Sequence, residues 1–127
     1  MKPEESLAMV CNAPTDRCGI YIVYAFKKNS HQVIYIGSSG KMQKNGTIKT
    51  RKGGMKDRLV NGKDSNGIPR RKSWGIRMKE EGISELKVHW WVTFDENIRH
   101  IPQYVEGLLI QEFYDTLGRL PAWNNEF

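Results

Sequence analysis

The stretch "CGIYIVYAFKKNSHQVIYIGSS", residues 18–39, contains two short apolar runs separated by a polar turn. Residues 19–26 and 33–37 are rich in β-branched and aromatic side chains, which predicts the two strands of a hairpin. We expect Asn29 to take a positive φ in the turn. If Tyr21 lies directly across from Tyr35, strand alternation places both phenols on one face. The neighbouring glycines would leave the backbone open to a ligand. The alternative is an ordinary cross-strand tyrosine pair that only stabilises the sheet.

The rest of the chain predicts three helices and a third strand. Helices are expected at about 55–61, at about 70–81 before Gly82, and from Pro102 to about residue 117. Residues 85–94 alternate in polarity, which is typical of a strand with one buried face. The element order β-β-α-α-β-α predicts an α+β domain whose small, three-stranded, mainly antiparallel sheet is flanked by helices.

The length and cysteine content favour one domain in a reducing compartment. The 127 residues fit a single domain at 18–127, preceded by an N-terminal tail at 1–17. Cys11 and Cys18 have no zinc-type spacing, so we expect free thiols and a cytoplasmic location, with a disulfide as the alternative. No apolar stretch is long enough to span a membrane. No small-molecule cofactor is expected, and the sequence leaves open whether the chain is a monomer or a homodimer.

The net charge of +6 is distributed unevenly along the chain. Residues 41–79 contain thirteen Lys and Arg against two Asp, a local charge of +11, whereas the remainder carries −5. Such asymmetry indicates a partner dense in negative charge, and nucleic acid is the commonest. A solvated basic face and an anionic membrane surface are the weaker alternatives. The expected DNA contacts are Lys41, Lys44, Lys49, Arg51, Lys52, Lys56, Arg70, Arg71, Lys72 and Arg77.

The tripeptides "GIY" at 19–21 and "YIG" at 35–37 stand in order on the predicted hairpin. Together with the later residues, they make residues 19–125 resemble the GIY-YIG nuclease family. That family includes excision-repair, intron-homing and some restriction endonucleases. The resemblance implies a GIY-YIG-like fold and a metal-dependent endonuclease that hydrolyses DNA phosphodiester bonds, as a restriction-type or phage-encoded enzyme.

The resemblance also implies a catalytic set of five residues, carried over from the hairpin, "GGMKDRLVNG", "EGLLIQ" and "PAWN": Tyr21, Tyr35, Arg58, Glu106 and Asn124. The reserve candidates for the last three are Arg51, Glu112 and Asn125. Arg58 follows Tyr35 by 23 residues, more than is usual, so a basic insertion is expected at about 38–54. Ser38 stands where several family members have a lysine.

The expected mechanism places Mg²⁺ (or Mn²⁺) on Glu106, because one carboxylate suits an ion that keeps several waters. Tyr21 would activate or position the attacking water, and nearby positive charge from Arg58 would favour that role. Asn124 would orient Glu106 or the leaving group. Two alternatives are a non-catalytic basic nucleic-acid-binding module and a structure-selective nuclease subunit that needs a partner.

Overall fold

A three-stranded antiparallel sheet organises the fold, with the strand at Cys18–Lys27 between those at Ser30–Ser39 and Glu85–Phe94; the computed structural model describes all 127 residues. The elements in chain order are α1 (Leu7–Val10), β1 (Cys18–Lys27), β2 (Ser30–Ser39), β3 (Lys41–Met42), β4 (Ile48–Lys49), α2 (Gly54–Asn61), α3 (Arg70–Glu81), β5 (Glu85–Phe94) and α4 (Pro102–Leu117). The α+β class and the antiparallel sheet are confirmed. The six predicted elements occur in the predicted order, with α1 and the short β3–β4 ribbon in addition.

The hairpin register differs from direct pairing of the two tyrosines. Lys27 pairs with Ser30 across a two-residue turn, in which Asn29 has the expected positive φ of 63°. The register then shifts between Val23 and Tyr24, where β2 contains one extra residue. As a result Tyr21 pairs with Gly37, and Tyr35 lies diagonally from Tyr21 instead of opposite it.

The glycines of both tripeptides have tight contacts that explain their presence. A Cβ on Gly37 would lie 2.6 Å from the Tyr21 ring, and one on Gly19 would lie 1.9 Å from the backbone oxygen of Trp91. Neither glycine therefore leaves open backbone for a ligand, and that expectation is wrong. Gly37 makes room for the Tyr21 ring, and Gly19 allows β1 to approach β5.

Helices cover both faces of the sheet. Tyr21, Val23 and Ala25 of β1 belong to the main core, together with side chains from α2 and α3. Helix α4 contacts mainly β2 and β1 on the opposite face. The carboxylate-bearing helix and the tyrosine pair thus belong to opposite sides of one sheet.

The N-terminal segment expected as a tail packs onto the domain. Leu7 is 2% exposed within the main core. The Met1 backbone exchanges two hydrogen bonds with Leu86, and Trp90 donates to the Asn12 side chain. Residues 1–12 therefore cover the free edge of β5, a tertiary role that the local sequence does not reveal. Cys11 and Cys18 are free thiols, and no helix is long and apolar enough to cross a membrane.

Candidate functional site

The two motif tyrosines stack on the face of the sheet that is covered by α2 and α3. Their ring centroids are 6.1 Å apart with an interplanar angle of 24°. Tyr21 is completely buried, and its hydroxyl has no hydrogen-bond partner. The Tyr35 hydroxyl accepts a 2.7 Å hydrogen bond from Nη2 of Arg70. The two phenols therefore differ in that Arg70 donates a hydrogen bond within 3.5 Å only to the Tyr35 hydroxyl, although its guanidinium lies close to both rings.

Burial raises the pKa of Tyr21 from 10.0 to about 12. Arg70 and Arg58 oppose this shift by favouring the phenolate, and Tyr35 and Glu106 reinforce it. Desolvation prevails because it acts on the charged form of a fully buried group. The nearby positive charge expected to favour ionisation is present but insufficient, so Tyr21 is a neutral phenol at neutral pH.

Arg70 lies beneath these rings instead of on the surface. It is 5% exposed, and its guanidinium carbon lies 5.0 Å from the Tyr35 centroid and 5.8 Å from that of Tyr21. Little of Arg70 is therefore left accessible for the expected DNA contact, which stays a prediction. The i, i+4, i+8 spacing of Arg70 with the buried Trp74 and Met78 is a sequence signal that could have identified this inward orientation.

Glu106 lies on α4 where this helix meets the end of β2. It is half-buried, and its Oε1 accepts a short hydrogen bond from the Ser38 hydroxyl. Burial raises the pKa of Glu106, and the Ser38 hydrogen bond and the charges of Arg58 and Arg70 oppose the rise. The reserve candidate Glu112 is exposed. Of the two carboxylates, only Glu106 is directed at the sheet.

A cationic cleft of about 540 Å³ surrounds Glu106. Its charged lining consists of Lys41, Lys49, Arg51, Arg58 and Glu106, the only acidic side chain there. Arg51 forms a 2.7 Å ion pair with Asp57, whereas Arg58 forms no ion pair with any carboxylate. The cleft therefore offers Arg58 as an arginine free to contact an anion.

The expected site residues do not all line one cavity. Tyr35 and Asn124 line a second cavity of about 650 Å³, which also includes Arg70, and Tyr21 lines neither cavity. The Asn124 amide pairs with the backbone of β2: it accepts from the Ile36 N–H at 3.0 Å and donates to the Ile36 carbonyl at 2.9 Å. Its contacts are thus to the strand that carries Tyr35 and not to Glu106.

The other expected DNA contacts divide by exposure. Lys44, Lys52, Arg71 and Lys72 are exposed, and Lys56 is partly buried. Arg77 stacks 4.3 Å from the Trp123 centroid and lies 3.6 Å from the Glu81 carboxylate, so it supports the C-terminal segment. The free cations therefore concentrate around the β3–β4 ribbon, where Lys41 and Lys49 pair, and at the start of α3.

Glu106 is the only carboxylate in the cleft, so a divalent cation held there would take most of its ligands from water or phosphate oxygens. Nowhere in the structure do three or more His, Cys, Asp or Glu side chains lie close enough together to hold a metal ion. Glu106 and its neighbour Ser38 nevertheless offer oxygen atoms, which Mg²⁺ prefers, and phosphate oxygens can complete its coordination. A carboxylate whose burial disfavours the charged form would also gain from a cation.

Comparisons of the chain with protein-family models, curated proteins and solved structures give no match.

Proposed function

We propose that the protein is a metal-dependent DNA endonuclease of the GIY-YIG type, working as a stand-alone restriction-type or phage-encoded enzyme. One observation supports the proposal: Glu106 is the single acidic side chain of a cationic cleft, and its charge acts on Tyr21 of the tyrosine pair formed by "GIY" and "YIG", although α4 and the tyrosines lie on opposite faces of the sheet. The positive charges of Arg58 and Arg70 oppose the rise in the pKa of Glu106. The charges of Arg70 and Arg58 likewise oppose the rise in the pKa of Tyr21, whereas Tyr35 and Glu106 reinforce it. These groups form one electrostatically coupled cluster.

Each side chain has a role in phosphodiester hydrolysis that suits its environment. Arg58 is free of carboxylate partners and can contact a phosphate with two donors. Ser38 holds Oε1 of Glu106 in place. A Mg²⁺ or Mn²⁺ ion held by Glu106 would supply charge stabilisation for the phosphate and the leaving oxygen. Lys41 and Lys49 would bind flanking phosphates, since they project beside the same cleft.

Tyr21 would act as a neutral hydrogen-bonding group. Its raised pKa excludes a standing phenolate at neutral pH, so it would orient the attacking water without first losing its proton. The hydroxyl is inaccessible in the free protein. The proposal therefore requires that DNA binding opens a path to it, and the unpartnered hydroxyl has no hydrogen bond that would resist the change.

The test is cleavage of supercoiled plasmid with Mg²⁺, with Mn²⁺ and with EDTA. Glu106→Gln should bind DNA but lose cleavage, because the amide removes the negative charge that would hold the cation. Glu112→Gln is the matched control on the exposed side of the same helix and should cut at the wild-type rate. Equal cutting by the Glu106→Gln variant would remove the assignment of Glu106, and sequencing the DNA ends would define the target.

The inaccessible hydroxyl of Tyr21 favours a second candidate function, that of a non-catalytic DNA-binding module. That function needs the cationic cleft but does not need access to Tyr21. The same experiment separates the two: salt-sensitive DNA binding without cleavage by either metal would indicate the module. Cleavage that appears only after adding a protein fraction would instead indicate a structure-selective nuclease subunit.

A further inference from the structure

Arg70 is a buried cation without an anionic partner. It is 5% exposed and forms no ion pair with any carboxylate. Removing an unpaired charge from water is strongly unfavourable unless other interactions compensate. Here the ring faces of Tyr21, Tyr35 and Trp74 lie 5.0–5.9 Å from the guanidinium carbon. Cation–π attraction offsets part of the desolvation, and such an arrangement indicates a role beyond packing.

The guanidinium joins two of the residues on which the proposed chemistry depends. Nη2 donates to the Tyr35 hydroxyl at 2.7 Å, and Nη1 donates to the Arg58 carbonyl at 2.6 Å. A guanidinium has only donors, so the Tyr35 oxygen is the acceptor and its own hydrogen is directed elsewhere. Arg70 therefore determines which way the Tyr35 hydroxyl can donate, and it fixes the last turn of α2 that carries Arg58.

The surrounding backbone is shaped to hold this guanidinium. A Cβ on Gly62 would lie 2.3 Å from both Nη1 of Arg70 and the Arg58 carbonyl oxygen that accepts from it, so glycine leaves room for this hydrogen bond. The Arg70 backbone N–H also donates to the Gly62 carbonyl at 3.0 Å. Both ends of Arg70 are thus fixed at the C-terminus of α2.

We propose that Arg70 is a positioning residue for phosphodiester hydrolysis: it holds the Tyr35 hydroxyl, at the second cavity, and the backbone of Arg58, at the cationic cleft, in one fixed arrangement. The inference rests on the proposed function, because it concerns the same site. It differs from a DNA-contact role in that Arg70 acts through Tyr35 and Arg58 and has almost no surface for DNA.

The test compares Arg70→Met and Arg70→Lys with the control Arg119→Met. Arg119 is an exposed arginine that also lies over an aromatic ring and donates to a backbone carbonyl, but lines neither cavity. At saturating DNA, Arg70→Met should lower the single-turnover cleavage rate about 10²-fold, the loss typical of misplaced reacting groups. DNA affinity should stay close to wild type. Arg70→Lys keeps the charge but loses the two-pronged geometry, so its rate should also stay low.

A purely structural role makes different predictions. It would lower the cleavage rate only in proportion to the unfolded fraction seen in thermal melts. If Arg70 acts through Tyr35, adding Tyr35→Phe to Arg70→Met should slow cleavage far less than the product of the two single effects, since residues that act as a unit are non-additive. If Arg70→Met does not fold, the same non-additivity is measured by comparing the cleavage rates of Arg70→Lys with and without Tyr35→Phe.

The possible results distinguish a failure of this inference from a failure of the proposed nuclease function. An Arg70 variant that cuts at the wild-type rate, or effects of Arg70 and Tyr35 that multiply fully, would overturn the inference while leaving the nuclease intact. A drop in DNA affinity at an unchanged saturated rate would return Arg70 to the DNA contacts and equally overturn it. A wild-type protein that cuts no DNA with either metal would remove the proposed function, and the inference with it.

Discussion

Replacing Tyr21 by phenylalanine should make the protein more stable and much less active. The Tyr21 hydroxyl is completely buried and has no hydrogen-bond partner, and an unsatisfied buried polar group costs about 1–3 kcal/mol. Phenylalanine keeps the ring that fills the space above Gly37. We therefore expect the free energy of unfolding to rise by about 1 kcal/mol. With an unfolding entropy of about 2.1 cal/mol/K per residue, that gain corresponds to about 4 °C in Tm.

The assay measures thermal melting and single-turnover cleavage for Tyr21→Phe and for Tyr24→Phe. Tyr24 is partly exposed on the opposite face, where its ring lies 5.0 Å from His89. Tyr21→Phe should melt higher and cut about 10²–10⁴-fold more slowly, as expected when a group that positions water is lost. Tyr24→Phe should leave the cleavage rate unchanged. If Tyr21→Phe melts lower and cuts normally, the hydroxyl is structural and the catalytic role of "GIY" is wrong.

The raised pKa of Tyr21 adds an alkaline signature to the same comparison. Burial holds the folded-state pKa at about 12, above the ordinary value of 10.0. Above pH 10 the unfolded chain can release this proton and the folded chain cannot, so stability is full below pH 10 and falls as pH rises towards 12. Two pKa units correspond to at most about 2.7 kcal/mol. Tyr21→Phe should remove this part of the decline, because every other titrating group remains; parallel stability curves would contradict the assignment.

Two further predictions follow from the packing of the hairpin and from the cleft. Gly37→Ala should destabilise the fold by about 1–3 kcal/mol, because its Cβ would overlap the Tyr21 ring. The control Gly107→Ala in α4 has room for a Cβ and should be neutral or stabilising. Denaturant melts of both variants measure the difference. Equal effects at the two sites would contradict the overlap. Replacing Lys41 and Lys49 by alanine should reduce the log–log salt slope of DNA binding by about 1.8, if each contacts one phosphate; an unchanged slope would mean that these lysines only face solvent.

The sequence predicted the secondary structure well because its determinants are local. Gly82, which was expected to follow the second helix, and Gly118, which directly follows α4, take positive φ values of 68° and 72° at the helix ends. The register of the hairpin was not predictable in the same way, since it depends on the turn length and on the extra residue in β2. The position of α1 was not predictable either, because its four apolar residues give no local sign of which surface they will cover.

The candidate site was only partly predictable, for a related reason. The resemblance implies Tyr21, Tyr35 and Glu106 as site residues, but it gives no information on their burial. Arg70 stands in a run of cations, where charge alone suggests a surface position, and only the apolar periodicity of α3 indicates otherwise. Ser38 occupies a position at which the resemblance suggests a lysine, and its contact with Glu106 depends on how α4 docks on β2.

Several energetically unfavourable buried groups lie around the two motif strands, which indicates that this region is not optimised for stability alone. Of the four buried hydroxyls without a partner, Tyr21 lies in the tyrosine pair, Ser39 lines the cleft and Ser73 lines the second cavity. The unpaired cation Arg70 and the desolvated carboxylate Glu106 adjoin them. Each group alone lowers stability, and a fold free to optimise its core would replace them with apolar residues. These groups lie on both faces of the sheet around the two motif strands. Under the proposed function, polar groups kept from water there would respond strongly to a charged phosphate.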